Sequence, residues 1–335
     1  MNTAAQFVNV SQRFGDVTAV DGLDLSIQQG KFTTLLGPSG SGKTTSLRML
    51  AGFSAPTSGR ILIGGVDSTH VPAGKRGLGM VLPSDMLSER MTVAGNVAQA
   101  LRQRGVSKRE RIARAMQCLE MVGLGAVAAK SPRRLSGTQR QRVVLARALA
   151  IRPKMLLIDE SLTNLDAGLQ VQLRSEIRRI QSDSGLTVVL VTHDQGEALS
   201  MSDELVVMRA GKIVQQGAPA SVFEAPSTRF VAEFLGYTNF FHDRDGHLLT
   251  VRPEHLVIKK CFAAPPETVL ALTATVIAIE YRGVDVLATV RAVDPSGALV
   301  TLVANSRTAC APRVVVGDRV TASASVAHLH ALVAK

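Results

Sequence analysis

Up to about Phe234, short apolar runs alternate with stretches of mixed polarity. Phe32–Leu36, Met155–Ile158 and Thr187–Val191 are apolar or β-branched throughout and read as buried strands. Thr44–Ala51, Thr138–Ala150 and Ala167–Ser182 read as helices. Strands that alternate with helices predict an α/β fold, a mostly parallel sheet covered by helices. Residues 92–122 are helical with no intervening strand, so an inserted helical subdomain is expected within about 90–150. After Tyr237 the texture changes to Val- and Thr-rich runs: Val269–Ile279, Val284–Val290, Leu299–Val303 and Arg313–Ala322. Pro295-Ser296-Gly297 and Gly317-Asp318 supply the turns, which predicts a small all-β, barrel-like domain. The expected domains are residues 1–237 and 238–335.

Composition narrows the class. A hydrophobic fraction of 46% excludes a disordered chain. No apolar run approaches the roughly 18 residues of a membrane helix, and Met1–Phe7 lacks a basic-then-apolar leader. Cys118, Cys261 and Cys310 are odd in number and far apart, which suits a reducing compartment and offers no zinc spacing. Cys118 reads as a small core residue. The net charge is +11, yet residues 101–150 alone hold 12 basic and 2 acidic residues. The positive charge is therefore local, which weakens the case for a chain that coats nucleic acid.

Gly37, Pro38, Ser39, Gly40, Ser41, Gly42, Lys43 and Thr44 fit G-x-x-x-x-G-K-[ST] between an apolar strand and a helix. Glycines there let backbone N–H groups turn inward onto phosphate oxygens. Lys43 can reach the β- and γ-phosphates, and the Thr44 hydroxyl can ligate Mg²⁺. Met155–Ile158 ends in Asp159 and Glu160. Asp159 is the expected Mg²⁺ carboxylate and Glu160 the general base for an attacking water. Ser136-Gly137-Thr138-Gln139 opens a helix, and suits either an anion site or an ordinary N-cap. His328 and His330 lie two apart, a spacing that suits a metal pair or two solvated side chains.

In this order the three elements resemble the ATP-binding subunit of an ABC-type importer. Leu135–Gln139 differs by one residue from the family's LSGGQ signature. The resemblance continues with Leu165-Asp166 as the D-loop and Thr192-His193-Asp194 as the switch-histidine loop. Arg13-Phe14-Gly15 matches the adenine-stacking loop, with Phe14 for the usual tyrosine. Beyond Tyr237, Val251-Arg252-Pro253-Glu254-His255 resembles a segment of the β-rich accessory domain in importers of sugars, polyamines, ferric iron and phosphonates.

The resemblance implies a P-loop NTPase core, ATP and Mg²⁺ as cofactors, and ATP contacts from Phe14 and from Gly37 through Thr45. It implies a head-to-tail homodimer in which Ser136, Gly137, Thr138 and Gln139 of one chain face the ATP held by the other. His193 would touch the γ-phosphate, and Asp166 would link the two sites. Membrane permease subunits and an extracytoplasmic solute-binding protein are the implied partners, at the cytoplasmic face of the membrane, with no nucleic acid. A soluble ATPase acting on nucleic acid and a weakly hydrolysing regulator are the alternatives.

Two positions depart from the family. Pro83 stands where the Q-loop glutamine would contact Mg²⁺ and water, and proline has neither an amide side chain nor a free φ. Thr138 stands where glycine is usual, and a β-branched residue resists positive φ and brings bulk toward the γ-phosphate. Slower hydrolysis or altered coupling is expected from both, with nucleotide binding intact.

Overall fold

The computed structural model describes residues 2–81, 87–159, 167–260, 268–310 and 313–332. By its packing the chain divides into two compact units, Met1–Pro219 and Ala220–Lys335. The first opens with β1 (Thr3–Phe14), β2 (Val17–Gln28), β3 (Phe32–Leu36), α1 (Lys43–Ala51), β4 (Ser58–Ile63), β5 (Val66–Asp67) and β6 (Gly79–Val81). Helices α2 (Val93–Arg102), α3 (Lys108–Met121) and α4 (Gly137–Ala150) follow. It continues through β7 (Met155–Asp159), α5 (Ala167–Ser184), β8 (Thr187–Thr192), α6 (Gln195–Met201), β9 (Glu204–Arg209) and β10 (Lys212–Gly217).

A six-stranded sheet runs in the order β10-β9-β3-β8-β7-β6, and a four-stranded sheet in the order β2-β1-β4-β5. In the larger sheet every pair is parallel except β9 with β10. Its central strands are buried on both faces, which is why their sequences are unbroken apolar runs instead of alternating ones. Leu156 and Ile158 of β7 and Val188 and Leu190 of β8 join one core, with α2, α3 and α4. Met155 and Leu157, with Val189 and Val191, join the other, with Leu47 and Leu50 of α1 and Phe7 and Leu25 of the antiparallel sheet.

The helical subdomain is the predicted insertion. Cys118 on α3 lies in its core. Asn96 is fully buried on α2, where its amide donates to Ser88 O and Thr92 O and its Oδ1 accepts from Ser88 N. Without these bonds its desolvated polar atoms would cost stability.

The second unit contains α7 (Pro219–Glu224), whose first residue belongs to the first unit, and α8 (Arg229–Phe234). Its strands are β11 (Asn239–His242), β12 (Leu248–Val251), β13 (Val257–Lys259), β14 (Thr268–Arg282), β15 (Asp285–Val293), β16 (Leu299–Arg307), β17 (Arg319–Ser325) and β18 (His330–Ala331). They form a three-stranded sheet, β11-β12-β18, and a five-stranded sheet, β13-β17-β14-β15-β16. Both contribute to one core, Phe241 and Val251 from the first and Val276, Val290, Leu302 and Val320 from the second. Asn239 pins the sheets together by exchanging two side-chain hydrogen bonds with the Val303 backbone.

The packing division falls ahead of the texture change at Tyr237. Tyr237 is buried, and its hydroxyl donates to Phe223 O and Glu224 O at the end of α7. The Arg252 guanidinium lies 3.8 Å from the Phe223 ring centroid and 4.7 Å from that of Tyr237, and it donates to Leu235 O. These contacts draw both short helices into the β-rich unit. Only the second half of Arg313–Ala322 is strand, because the turn at Gly317-Asp318 delays β17 to Arg319. His328 and His330 do not share a strand face: His328 lies in a short turn before β18 and stacks on His255 at 3.7 Å between centroids.

Candidate functional site

The parallel register brings three strand ends to one level. Leu36 of β3 stands beside Thr192 of β8, and Asp159 of β7 stands beside Val191. The loops after β3 and β8 carry Gly37–Gly42 and His193, and Glu160 follows β7 in the sequence. This is the edge at which open parallel sheets bind ligands.

The loop between β3 and α1 is shaped by glycines that no other residue can replace. A Cβ on Gly37 would sit 2.3 Å from Met208 O, and one on Gly42 would sit 2.5 Å from Ala19 O. Gly40 and Gly42 take φ of +77° and +96°, a region L side chains avoid. Gly42 is also the N-cap of α1, with no side-chain cap and no acid in the first turn. No capping side chain therefore competes with an anion at the first N–H groups of α1. Lys43 is buried, and its Nζ donates to Gly37 O at 2.9 Å, Pro38 O at 2.8 Å and Ser41 Oγ at 3.3 Å. The loop's own carbonyls therefore hold the ammonium at the place where phosphate oxygens would replace them. Ser39 and Gly40 are exposed at the tip of the loop, and Thr44 and Thr45 are half-buried at the start of α1.

Thr44 Oγ1 donates to Asp159 Oδ1 at 3.3 Å, joining residues 115 positions apart. Two hard oxygen donors at the mouth of a phosphate loop form the donor set that Mg²⁺ accepts. His193 is exposed immediately beyond β8, and Phe14 is 56% exposed at the end of β1, beside Gly15. Glu160, Asp166 and Pro83 lie outside the described residues. A cavity of about 780 Å³ lies elsewhere, between β13 and β16 of the second unit.

Ser136 is the N-cap of α4 in a reciprocal capping box. Its Oγ accepts from Gln139 N at 3.2 Å, and Gln139 Oε1 accepts from Ser136 N at 3.1 Å. Ser136 is exposed and Gly137 half-buried, so the turn is accessible. The expectation for Thr138 is corrected. Thr138 lies within the first turn of α4 and is absent from the residues at positive φ. Its side chain is 6% exposed, with Oγ1 unpartnered among the described residues. The methyl and hydroxyl face the interior, so glycine there would empty a buried position without relieving strain.

The residues after β8 are held more firmly than the motif alone suggests. Asp194 N donates to Thr192 Oγ1 at 3.0 Å, and Asp194 Oδ1 accepts from Glu197 N at 2.6 Å, capping α6. Arg174 of α5 lies 3.3 Å from Asp194 Oδ1 and 3.8 Å from Glu197 Oε1. Burial pushes the Glu197 carboxyl up, while the Thr192 hydroxyl and Arg174 pull it back. Sequence reading does not single out Arg174 or Glu197. The Asp194-x-x-Glu197 spacing is a helix-start signal that points to Glu197, whereas Arg174 is one of several basic residues on a charged helix.

Comparison with known proteins shows the family. The model of the ABC transporter family matches residues 20–163, and that of the TOBE domain matches residues 249–332. A "Fe(3+) ions import ATP-binding protein" of Rhizobium meliloti is 48% identical over 254 residues, 75% of this chain and 72% of that protein. A "Spermidine/putrescine import ATP-binding protein" of Thermobifida fusca is 43% identical over 324 residues, 88% of this chain and 84% of that protein. Among solved structures, a dimeric ATP-binding cassette bound to ADP and Pi superposes with a TM-score of 0.57 at 29% identity, covering 64% of this chain and 98% of that one. The chain therefore belongs to the ATP-binding subunits of ABC transporters, an ATPase family, with a TOBE domain after its cassette.

Proposed function

We propose that the protein hydrolyses ATP to drive an importer, that two copies work head to tail against a membrane permease, and that the imported solute is ferric iron. The approach of Thr44 Oγ1 to Asp159 Oδ1 within the glycine cradle supports this reading above all else. The Rhizobium meliloti relative's name suggests the solute.

On binding, phosphate oxygens displace the loop carbonyls from Lys43, and the first N–H groups of α1 donate to them. Thr44 and Asp159 offer oxygens to Mg²⁺, which when bound with the nucleotide draws charge from the β- and γ-phosphates. Glu160 takes the proton from the attacking water, and His193 contacts the γ-phosphate. Phe14 stacks on the base. Ser136, Gly137, Thr138 and Gln139 of the second copy close the site, so that α4 turns its positive end toward the phosphates. Asp166 links the two sites across the dimer, and Pro83 occupies the permease hinge. No helix among the described residues is long and apolar enough to cross a membrane. The proposed station is the cytoplasmic face of the permease, with an extracytoplasmic solute-binding protein delivering the solute on the far side.

Uptake of labelled ferric iron by cells carrying this chain and its neighbouring transport genes tests the proposal. Glu160→Gln is expected to abolish uptake while ATP still binds. Uptake indifferent to Glu160→Gln overturns the reading, and uptake of labelled spermidine in place of iron moves the solute to polyamines.

A further inference from the structure

Helix α5 begins at Ala167, directly after Asp166. Two turns along it, about 10 Å by helix geometry, Arg174 reaches across to α6. Its side chain is only 16% exposed, and it sits against Asp194 at 3.3 Å and Glu197, itself 2% exposed, at 3.8 Å. Asp194 follows His193 in the chain, and its N–H is tied to the Thr192 hydroxyl at the end of β8. His193 is therefore bracketed by two anchored residues, one of which Arg174 grips.

The same helix is tied elsewhere. Glu176 pairs with Arg142 of α4 at 2.9 Å, and Arg178 pairs with Asp203 at 2.6 Å, just before β9. Ion pairs join α5 to the signature helix at one point and to the cap of α6 at another. Partly buried ion pairs of this kind contribute modestly to stability. What they supply is a fixed relative position.

We infer that Arg174 is a positioning residue for hydrolysis: it holds Asp194, and through it His193, in register with α5. The inference rests on the proposal that His193 acts on the γ-phosphate. A displacement of α5 moves Arg174, the Asp194 cap follows, and the histidine leaves its working position while the P-loop stays as it was.

The test uses the full chain and four variants: Arg174→Met, Arg174→Lys, His193→Ala, and the double variant Arg174→Met with His193→Ala. Turnover is measured with enzyme in excess so that slow variants remain readable, and ATP affinity and melting are measured in parallel. Arg174→Met is expected to lower turnover by about 10- to 100-fold, the scale of a small misplacement near the reacting atoms. ATP affinity is expected to stay within about two-fold, since uniform binding is untouched. Arg174→Lys keeps the charge but spans the two carboxylates less well, so its turnover falls between Met and wild type. In the His193→Ala background the further loss from Arg174→Met should shrink below about two-fold, because both changes act through one group. Should Arg174→Met fail to fold, Asp194→Asn retains a capping oxygen while removing the charge that Arg174 grips, and it should show the same pattern.

A wild-type rate in Arg174→Met together with a slow His193→Ala overturns the inference alone. Equal losses in both backgrounds overturn it too, by showing that Arg174 acts elsewhere. A wild-type rate in His193→Ala removes the underlying proposal about that residue.

Discussion

Ser136 has two roles in this account, and one pair of substitutions separates them. As the N-cap of α4 it accepts a hydrogen bond from Gln139 N at 3.2 Å and is exposed. Ser136→Ala deletes that acceptor and should cost about 1 kcal/mol. For a unit of this size that is a melting decrease of about 2–4 °C. Ser136→Asp keeps a capping oxygen of equal quality, and its charge favours the helix N-terminus by about 0.3–1 kcal/mol. It should therefore melt at or slightly above wild type. Against a γ-phosphate brought by the second copy, that carboxylate replaces a donor with a like charge. Losing one such donor costs about 100- to 1,000-fold in turnover, and the aspartate should lose at least that much. Urea unfolding reads the first effect, and ATPase rate at saturating ATP reads the second. ATP affinity of the single chain should not change, because its own P-loop is intact. A stable Ser136→Asp variant that hydrolyses like wild type would refute the phosphate role and leave only the cap.

Three further outcomes follow from the geometry. Gly37→Ala places a Cβ 2.3 Å from Met208 O, so ATP binding should be lost while the parallel sheet persists, as nucleotide titration and circular dichroism would read. Arg252→Ala removes a guanidinium held between Phe223 and Tyr237 and bonded to Leu235 O; stacking on two rings contributes about 1–2 kcal/mol, and limited proteolysis should open the second unit first. Burial would raise the Asp203 carboxyl, but hydrogen bonds from Arg178 and from Phe32 N–H outweigh it and hold the group below its ordinary range. A depressed folded-state value contributes stability above the ordinary carboxylate range and loses it as pH falls through the folded value. Asp203→Asn should therefore be less stable than wild type at neutral pH, and the gap should close in acid.

The nucleotide loop was legible because its glycines state a backbone requirement, and Gly37 and Gly42 meet carbonyls that forbid a Cβ. The central strands were legible because both faces are buried, so Met155–Ile158 carries no polar position to confuse the pattern. Thr138 was misread for a physical reason. Thr138 already falls in the helix that the apolar pattern predicts, so its backbone needs no positive φ, and its side chain turns inward. The stacking of His328 on His255 depends on residues far apart in the chain, as does the grip of Arg174 on Asp194. Nothing local marks either pair.

The concentration of positive charge in residues 101–150 takes on a different meaning once partners are assigned. Arg133 is bound to Glu89, Arg140 donates to Leu135 O, and Arg142 is paired with Glu176. Two of the four arginines that flank the signature turn are thus paired with carboxylates, whereas Arg140, bonded to a neutral carbonyl, and the exposed Arg134 keep their charge. The attraction of that turn for a polyanion must then come from these two charges together with the N–H groups and dipole of α4. It follows that salt should weaken closure over ATP less than the formal charge implies, because helix-end donors act at contact range whereas exposed arginines are screened within about 10 Å.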